Sequence, residues 1–314
     1  MRSEAAQMSE SPVVSEIISQ IEADIDKELG SSPDVKDVEP DNLDISKLPL
    51  GKREWFRLDD VVAVVVDLKG STHLGTGKNA ASTASIYEAA TDNAVKVLHD
   101  FDADFIQIQG DGAFGLFWGE GRYERAVCAG ITIKTFSKYL VEKIDGRWPD
   151  APDTGFKVGI ASGRVLVKQI GTPRNPNEQE PVWAGKPVNY AAKAAQTADV
   201  DQLIVSGAVW DEIESNDYLT VTCACNPQPS LWENVEIKNV PDDDDDRFGQ
   251  LLEAAWCDTC GDEFCQAILE GKTDRDDAEG IAQKVMAKAR AGVLSAVIER
   301  RRSHRIAHRR GLAK

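Results

Sequence analysis

A chain of 314 residues with 42% hydrophobic content has room for one catalytic-sized domain and a smaller second one. Its net charge of −17 argues against nonspecific binding to nucleic acid or to an acidic membrane surface. The opening MRSEAAQMSESPVV lacks the basic and apolar pattern of a secretory leader, and no apolar run approaches the roughly 20 residues that span a bilayer, so the expected location is the cytoplasm with no membrane partner.

Residues 1–50 are acidic and polar, but Val14, Ile17, Ile18, Ile21, Ile25 and Leu29 recur at helical spacing. They predict one amphipathic helix followed by an acidic linker through SSPDVKDVEPDNLD. The helix is expected to pack on the catalytic domain, with dimerisation as the other use. A domain is expected over 51–215. Val61 to Val66 form an unbroken β-branched and apolar run, which reads as a strand buried on both faces. Asp67 ends it, and a carboxylate there must be paired, hydrated or bound to a cation. The small residues Gly70, Ser71 and Thr72 follow, a tight turn whose amides can approach an anion and lead into a helix. A helix is expected through Ile86, Ala90, Val95 and Leu98. Then Phe105, Ile106 and Ile108, with Ala113, Phe114, Leu116 and Phe117, flank Gly110-Asp111-Gly112 as a hairpin with Asp111 at its turn.

Alone, either aspartate reads as a turn or cap residue. As a pair on neighbouring strands they reach one point, and hard oxygen ligands suit magnesium or manganese carried in with substrate phosphates. A second helix is expected through Val127, Ile131, Phe136 and Leu140, with Cys128 in its core face, then strands near 156–161 and 165–170. Asn189 and Lys193 stand four apart in an alanine-rich helix and so share one face. They can present an amide and a cation to one ligand, or be a solvated helix face. A strand at 203–206 closes the set, and the alternation fits an α+β, ferredoxin-like sandwich.

Beyond 216 the composition changes. Cys223-x-Cys225 and Cys257-x-x-Cys260, with Cys265 nearby, favour a metal over disulfides in a cytoplasmic chain, and four thiolates make a closed structural zinc site; a set of buried or free thiols is the alternative. The run Asp242 to Asp246 reads as a solvated loop. Ile281, Val285, Leu294, Val297 and Ile298 suggest a helix leading into the basic tail ERRRSHRIAHRR, whose arginines would contact the acidic surface of the protein itself. His304 and His308 read as exposed tail residues.

Residues from about 58 to 215 resemble a class III nucleotidyl cyclase catalytic domain, through Asp67 in DLKGST, Gly110-Asp111, the strand pair around Gly159 and Gly163, and GKPVNYAAK. The resemblance implies that Asp67 and Asp111 hold two divalent cations, Mn2+ or Mg2+, and that the loop of Leu68, Gly70, Ser71 and Thr72 cradles phosphate. It implies that Asn189 positions the ribose and that Lys193 stabilises charge on the phosphates, where the family usually has arginine. Lysine lacks the planar fork of that residue.

At the base-reading positions the family's adenylate enzymes carry lysine and aspartate, and its guanylate enzymes glutamate and cysteine. Here they are Gln107 and Val182, followed by Trp183, which fits neither purine. Trp183 is either a wall that narrows the base pocket or ordinary core packing. In this the chain resembles the pyrimidine cyclases of the bacterial Pycsar antiphage systems. UTP or CTP would then be the substrate, since a glutamine amide both donates and accepts and could serve either base, with UTP preferred. Cyclic UMP or cyclic CMP would be the product, read by a cyclic-nucleotide-activated effector. The site would be shared across a head-to-tail homodimer, with no nucleic-acid partner. Residues 216–314 loosely resemble a C-terminal sensor domain. An adenylate or guanylate cyclase, or a degenerate nucleotide-binding module, are the rival readings.

Overall fold

A computed structural model describes residues 13–76, 78–228 and 230–287. In chain order the elements are α1 (Val14–Leu29), β1 (Asp34–Asp37), β2 (Glu54–Lys69), α2 (Ser71–Leu74), α3 (Ala80–Asp100), β3 (Phe105–Gln109), β4 (Gly112–Phe117) and α4 (Arg122–Arg147). They continue as β5 (Gly155–Gly171), β6 (Gln179–Gly185), α5 (Lys186–Thr197), β7 (Gln202–Val205), α6 (Gly207–Ile213), α7 (Asp217–Thr220), β8 (Trp232–Glu236), β9 (Phe248–Leu252) and α8 (Gly261–Leu269). The described residues divide into two compact units. One comprises those of Met1–Arg57 with Leu166–Val182, and the other those of Leu58–Val165 with Trp183–Lys314.

In the first unit, α1 forms where the apolar spacing predicts it, but none of its residues is buried. Its apolar stripe is exposed, from 42% at Ile17 to 83% at Leu29. The helix is held instead by its C-terminal end, where Arg53 bonds the Glu28 carboxylate at 2.9 Å and the Glu28 carbonyl at 2.8 Å. Part of the expected linker is ordered as β1, which pairs in parallel with the start of β2, Asp34 opposite Glu54. Lys36 bonds Glu54 at 2.5 Å across that pair.

The second unit is built on a sheet with strand order β3-β4-β2-β5-β7-β9-β8. The β-branched run of β2 takes the centre, where strands buried on both faces belong. Val62, Val64 and Val66 point into the main core with Ile86, Ala90 and Leu98 of α3 and Val127 and Ile131 of α4. Strand alternation therefore sends Ala63, Val65 and Asp67 to the opposite face. Register carries that face across the sheet, because Val65 lies opposite Phe114 and Phe114 opposite Gln107. On β5, Phe156, Val158 and Ile160 join the α3 and α4 side, so Lys157 and Gly159 belong to the face of Asp67. Helix α5 covers part of that second face. A Cβ built on Gly159 would meet the Ala191 carbonyl oxygen at 2.0 Å and the Ala195 nitrogen at 2.4 Å, a close approach that only glycine permits.

Beyond residue 215 the chain adds β9 and β8 to this sheet, Leu203 pairing with Leu252 and Trp232 with Leu252 in turn. Cys128 is buried in α4 as expected. Residues 278–287 are helical, with Ile281 5% exposed. Leu294, Val297, Ile298, the basic tail, His304 and His308 lie outside the described residues. Among the described residues no helix is long and apolar enough to cross a membrane.

Candidate active site

The hairpin forms with Gly110 and Asp111 as its two-residue loop between β3 and β4. Val66 pairs with Ala113, so continuing the antiparallel register sets Asp67 opposite Gly112, next to Asp111. Neighbouring strands lie about 4.8 Å apart, and the two carboxylates therefore start from adjoining backbone positions, as the sequence spacing predicts. Asp67 Oδ2 sits 2.6 Å from Lys157 Nζ, with the Asp67 side chain 42% exposed. The Asp67 carboxylate thus already faces a cation and is open to solvent on one side. Two hard oxygen donors on adjoining positions with open access fit magnesium or manganese, which retain several waters and phosphate oxygens as ligands.

The loop after Asp67 is pinned at several points. Gly70 adopts φ 76°, a left-handed conformation natural to glycine, and caps α2. Lys69 Nζ bonds Asp199 at 2.6 Å and Asp153 at 3.0 Å, and the Lys69 carbonyl accepts the Thr154 hydroxyl at 2.8 Å. Leu68 differs from the expectation that it lines a phosphate cradle with its neighbours. Its side chain is 2% exposed in the main core, since position 68 falls on the α3 face of the strand, which leaves only its backbone to face a ligand. Ser71 and Thr72 open the short α2.

Gln107 shares the sheet face of Asp67. Two strand spacings across and about two residues along put their backbones roughly 12 Å apart, the scale of a nucleotide from base to phosphate. Phe105, two residues before Gln107 on the same face, stacks against Trp183 with ring centroids 5.0 Å apart, and Trp118 lies 5.8 Å from Trp183 on another side. Trp183 is therefore a packed residue, 7% exposed, that closes the end of this face. Its indole Nε1 is buried without a hydrogen-bond partner among the described residues. Val182, just before it on β6, is 40% exposed.

Asn189 and Lys193 occupy one side of α5. Asn189 Nδ2 donates to the Gly185 carbonyl at 3.0 Å, and Lys193 Nζ lies 5.1 Å from the Tyr190 ring centroid. Among the described residues no hydrogen bond or ion pair links either to Asp67 or Asp111.

The acidic run 242–246 departs from the solvated loop read in the sequence. Asp244 accepts the Tyr190 hydroxyl at 2.7 Å and Lys186 Nζ at 2.7 Å, while Asp246 accepts the Ala208 amide at 3.1 Å. Burial would raise the Asp244 carboxyl, but its bonds to Lys186 and Tyr190 hold it below the ordinary carboxylate value. Burial and the Asp244 partner push Tyr190 up to about 12. A run of five aspartates looks solvated in sequence because nothing local reveals that two of them meet the first turns of α5. Lys157, Lys186, Tyr190 and Asp244 were accordingly not legible as site residues. Only the odd-numbered alternation of β5 could have placed Lys157 beside Asp67.

Cys223, Cys225, Cys257 and Cys260 converge, with their sulfurs all within 4.8 Å of one another. Cys265 stands apart and hydrogen-bonds Cys128, which draws the Cys265 thiol down and, with burial, pushes Cys128 up.

No family model matches the chain. A uridylate cyclase from Micromonospora echinofusca is 55% identical over 263 residues, 83% of this chain and 86% of that protein. A uridylate cyclase from Propioniciclava tarda is 55% identical over 225 residues, covering 71% of this chain and 72% of its own. Among solved structures, the adenylyl cyclase CyaB from P. aeruginosa superposes with a TM-score of 0.50 at 16% identity, over 63% of this chain and 94% of that one. The last likeness concerns the fold.

Proposed function

The chain belongs to the class III nucleotidyl cyclase family, on the branch of the uridylate cyclases, and from that membership we propose that it converts UTP to 3′,5′-cyclic UMP and pyrophosphate. The observation that carries the reading is 55% identity to a uridylate cyclase across 83% of the chain. The arrangement on one sheet face supports it, with Asp67 and Asp111 at one end and, toward the other, Gln107 and then Phe105 packed against Trp183. Asp67 and Asp111 would hold the divalent cations, which when bound neutralise the triphosphate and make the ribose 3′-hydroxyl more acidic.

The chain's own residues supply the rest. Gln107 offers a donor and an acceptor to the pyrimidine edge, and Trp183 limits the depth available to a base. Asn189 orients the ribose, so that the 3′-oxygen stands in line with the α-phosphorus and the bond to pyrophosphate. Lys193 meets the charge that grows on the phosphate oxygens in the transition state. The Asp67 and Asp111 of one subunit would work with Asn189 and Lys193 of a second, in a homodimer. Cyclic UMP released in the cytoplasm would act as an alarm signal in antiphage defence, read by an effector with a cyclic-nucleotide site.

The purified chain incubated with each of the four ribonucleoside triphosphates and Mn2+ is expected to form cyclic UMP, detected by mass spectrometry, and to lose it in Asp67→Ala. Cyclic CMP instead would reassign the base, and cyclic AMP or GMP alone would overturn the pyrimidine reading. Gln107→Ala is expected to lower kcat/KM for UTP about 10- to 100-fold through the lost base contact, while leaving the slow turnover of other nucleotides nearly level. Equal loss on every nucleotide would remove Gln107 from base reading.

A further inference from the structure

We propose that Cys223, Cys225, Cys257 and Cys260 bind one structural zinc ion as a closed tetrathiolate, joining the loop 221–228 to the start of α8. All four sulfurs lie within 4.8 Å of one another and all four are free thiols. Zinc–sulfur bonds of about 2.3 Å in a tetrahedron set neighbouring sulfurs roughly 3.8 Å apart, so the four need to close by less than the width of an atom.

The surroundings are those of a metal knuckle rather than of a chance cluster. In the Cys257-x-x-Cys260 turn the backbone amides of Thr259 and Cys260 donate to the Cys257 sulfur, the amide-to-sulfur arrangement of a metal knuckle. Cys260 caps α8, so the helix N-terminus, with its partial positive charge, adjoins the sulfurs. The opposing loop is closed on itself by Thr222, whose hydroxyl donates to the Asn226 carbonyl at 2.9 Å and accepts the Gln228 amide at 3.2 Å.

A zinc tetrathiolate carries a net charge of about −2. Arg275, 8% exposed, supplies a buried cation, donating to the Val221 carbonyl at 2.8 Å and the Thr222 carbonyl at 3.4 Å. Cys265 is not part of the set, because it pairs with Cys128. Cys223 and Cys257, with Thr222, Tyr218, Trp256 and Phe264, line a cavity of about 630 Å³. The ion therefore fixes one wall of that cavity. Binding exchanges four thiol protons for the metal.

The full chain, expressed in zinc-supplemented medium and purified without chelator, is expected to hold about one zinc per chain by elemental analysis. Cobalt substituted for it is expected to show the ligand-field and charge-transfer bands of a tetrahedral tetrathiolate. Cys223→Ser and Cys257→Ser should each drop the zinc content at least about tenfold, Cys265→Ser should keep it, and a chelator should lower the Tm of the parent chain but not of Cys257→Ser. Since the metal content and cobalt spectrum are read on the parent chain, a misfolded variant cannot decide the matter. A parent chain holding well below one zinc, two native disulfides by mass, or full zinc retention in Cys257→Ser would each overturn the assignment.

Discussion

Lys134 is a charge buried where charge is least welcome. It is 0% exposed on α4, and among the described residues its ammonium donates to the Glu253 carbonyl at 2.6 Å. Burial, aided by Lys138, lowers its pKa from 10.5 to about 8. Below pH 8 both folded and unfolded chains carry this proton, and the folded chain bears the full penalty of about 3 kcal/mol. Between about pH 8 and 10.5 the unfolded chain binds the proton that the folded one has released, so stability rises with pH. Denaturant unfolding is expected to show the parent gaining about 2 kcal/mol relative to Lys134→Met between pH 8 and 9.5, and parallel profiles would refute the buried charge. This residue illustrates what sequence alone withholds. Lys134 sits among residues whose helical spacing marks α4 correctly, yet a lysine in such a stripe reads as one whose ammonium reaches solvent. The adjoining positions of Asp67 and Asp111 were legible for the opposite reason, since each ends or follows an apolar strand, where a carboxylate must be paired, hydrated or bound to a cation.

At the scale of elements, α5 is the part whose placement matters most to the proposed function, which assigns it Asn189 and Lys193. Two contacts seat it: the backbone approach over Gly159 and the clamp of Asp244 on Lys186 and Tyr190. Asp244→Asn keeps the shape but weakens both charge-assisted bonds, and is expected to lower stability by about 1–2 kcal/mol and kcat about tenfold, with KM for the nucleotide little changed. Urea unfolding and steady-state kinetics measure the two effects, and an unchanged kcat would show that α5 is seated without the clamp. Because Asp244 is held below the ordinary carboxylate value, its share of stability is complete above about pH 4 and disappears as the pH falls through the folded value, a loss that Asp244→Asn should lack. Strand β2, the hairpin and helices α3 and α4 were legible from their apolar runs, whereas the two strands expected near 156–161 and 165–170 are one strand, β5, and the half-exposed β6 carried no such run. Strands β8 and β9 were not legible, since WENVE and FGQLL carry polar residues on an exposed face at the end of the sheet, and composition there pointed to a separate domain. The pairing of β9 with β7, and of β8 with β9, is a long-range outcome that no local pattern encodes.

For the molecule as a whole, the separation of the two halves of the machinery is the feature with the clearest consequence. Asp67 and Asp111 are joined through β2 and the hairpin, Asn189 and Lys193 lie on α5, and no bond among the described residues links the pairs. In the proposed head-to-tail homodimer the aspartates of one subunit would meet the α5 of the other and make two composite sites. Asp67→Ala and Asn189→Ala are each expected to be nearly inactive alone. Mixed in equal amounts and allowed to exchange subunits, they form heterodimers in which one site has lost both groups and the other is intact. Random exchange makes half the dimers mixed, with one working site in each, so the mixture should recover about a quarter of the parent rate of cyclic UMP formation. Recovery must also fall on dilution as dimers dissociate, which separates shared sites from slow contamination by active protein. A mixture no more active than its components, under conditions where subunit exchange is seen by native mass spectrometry, would place all four residues in a single subunit's site.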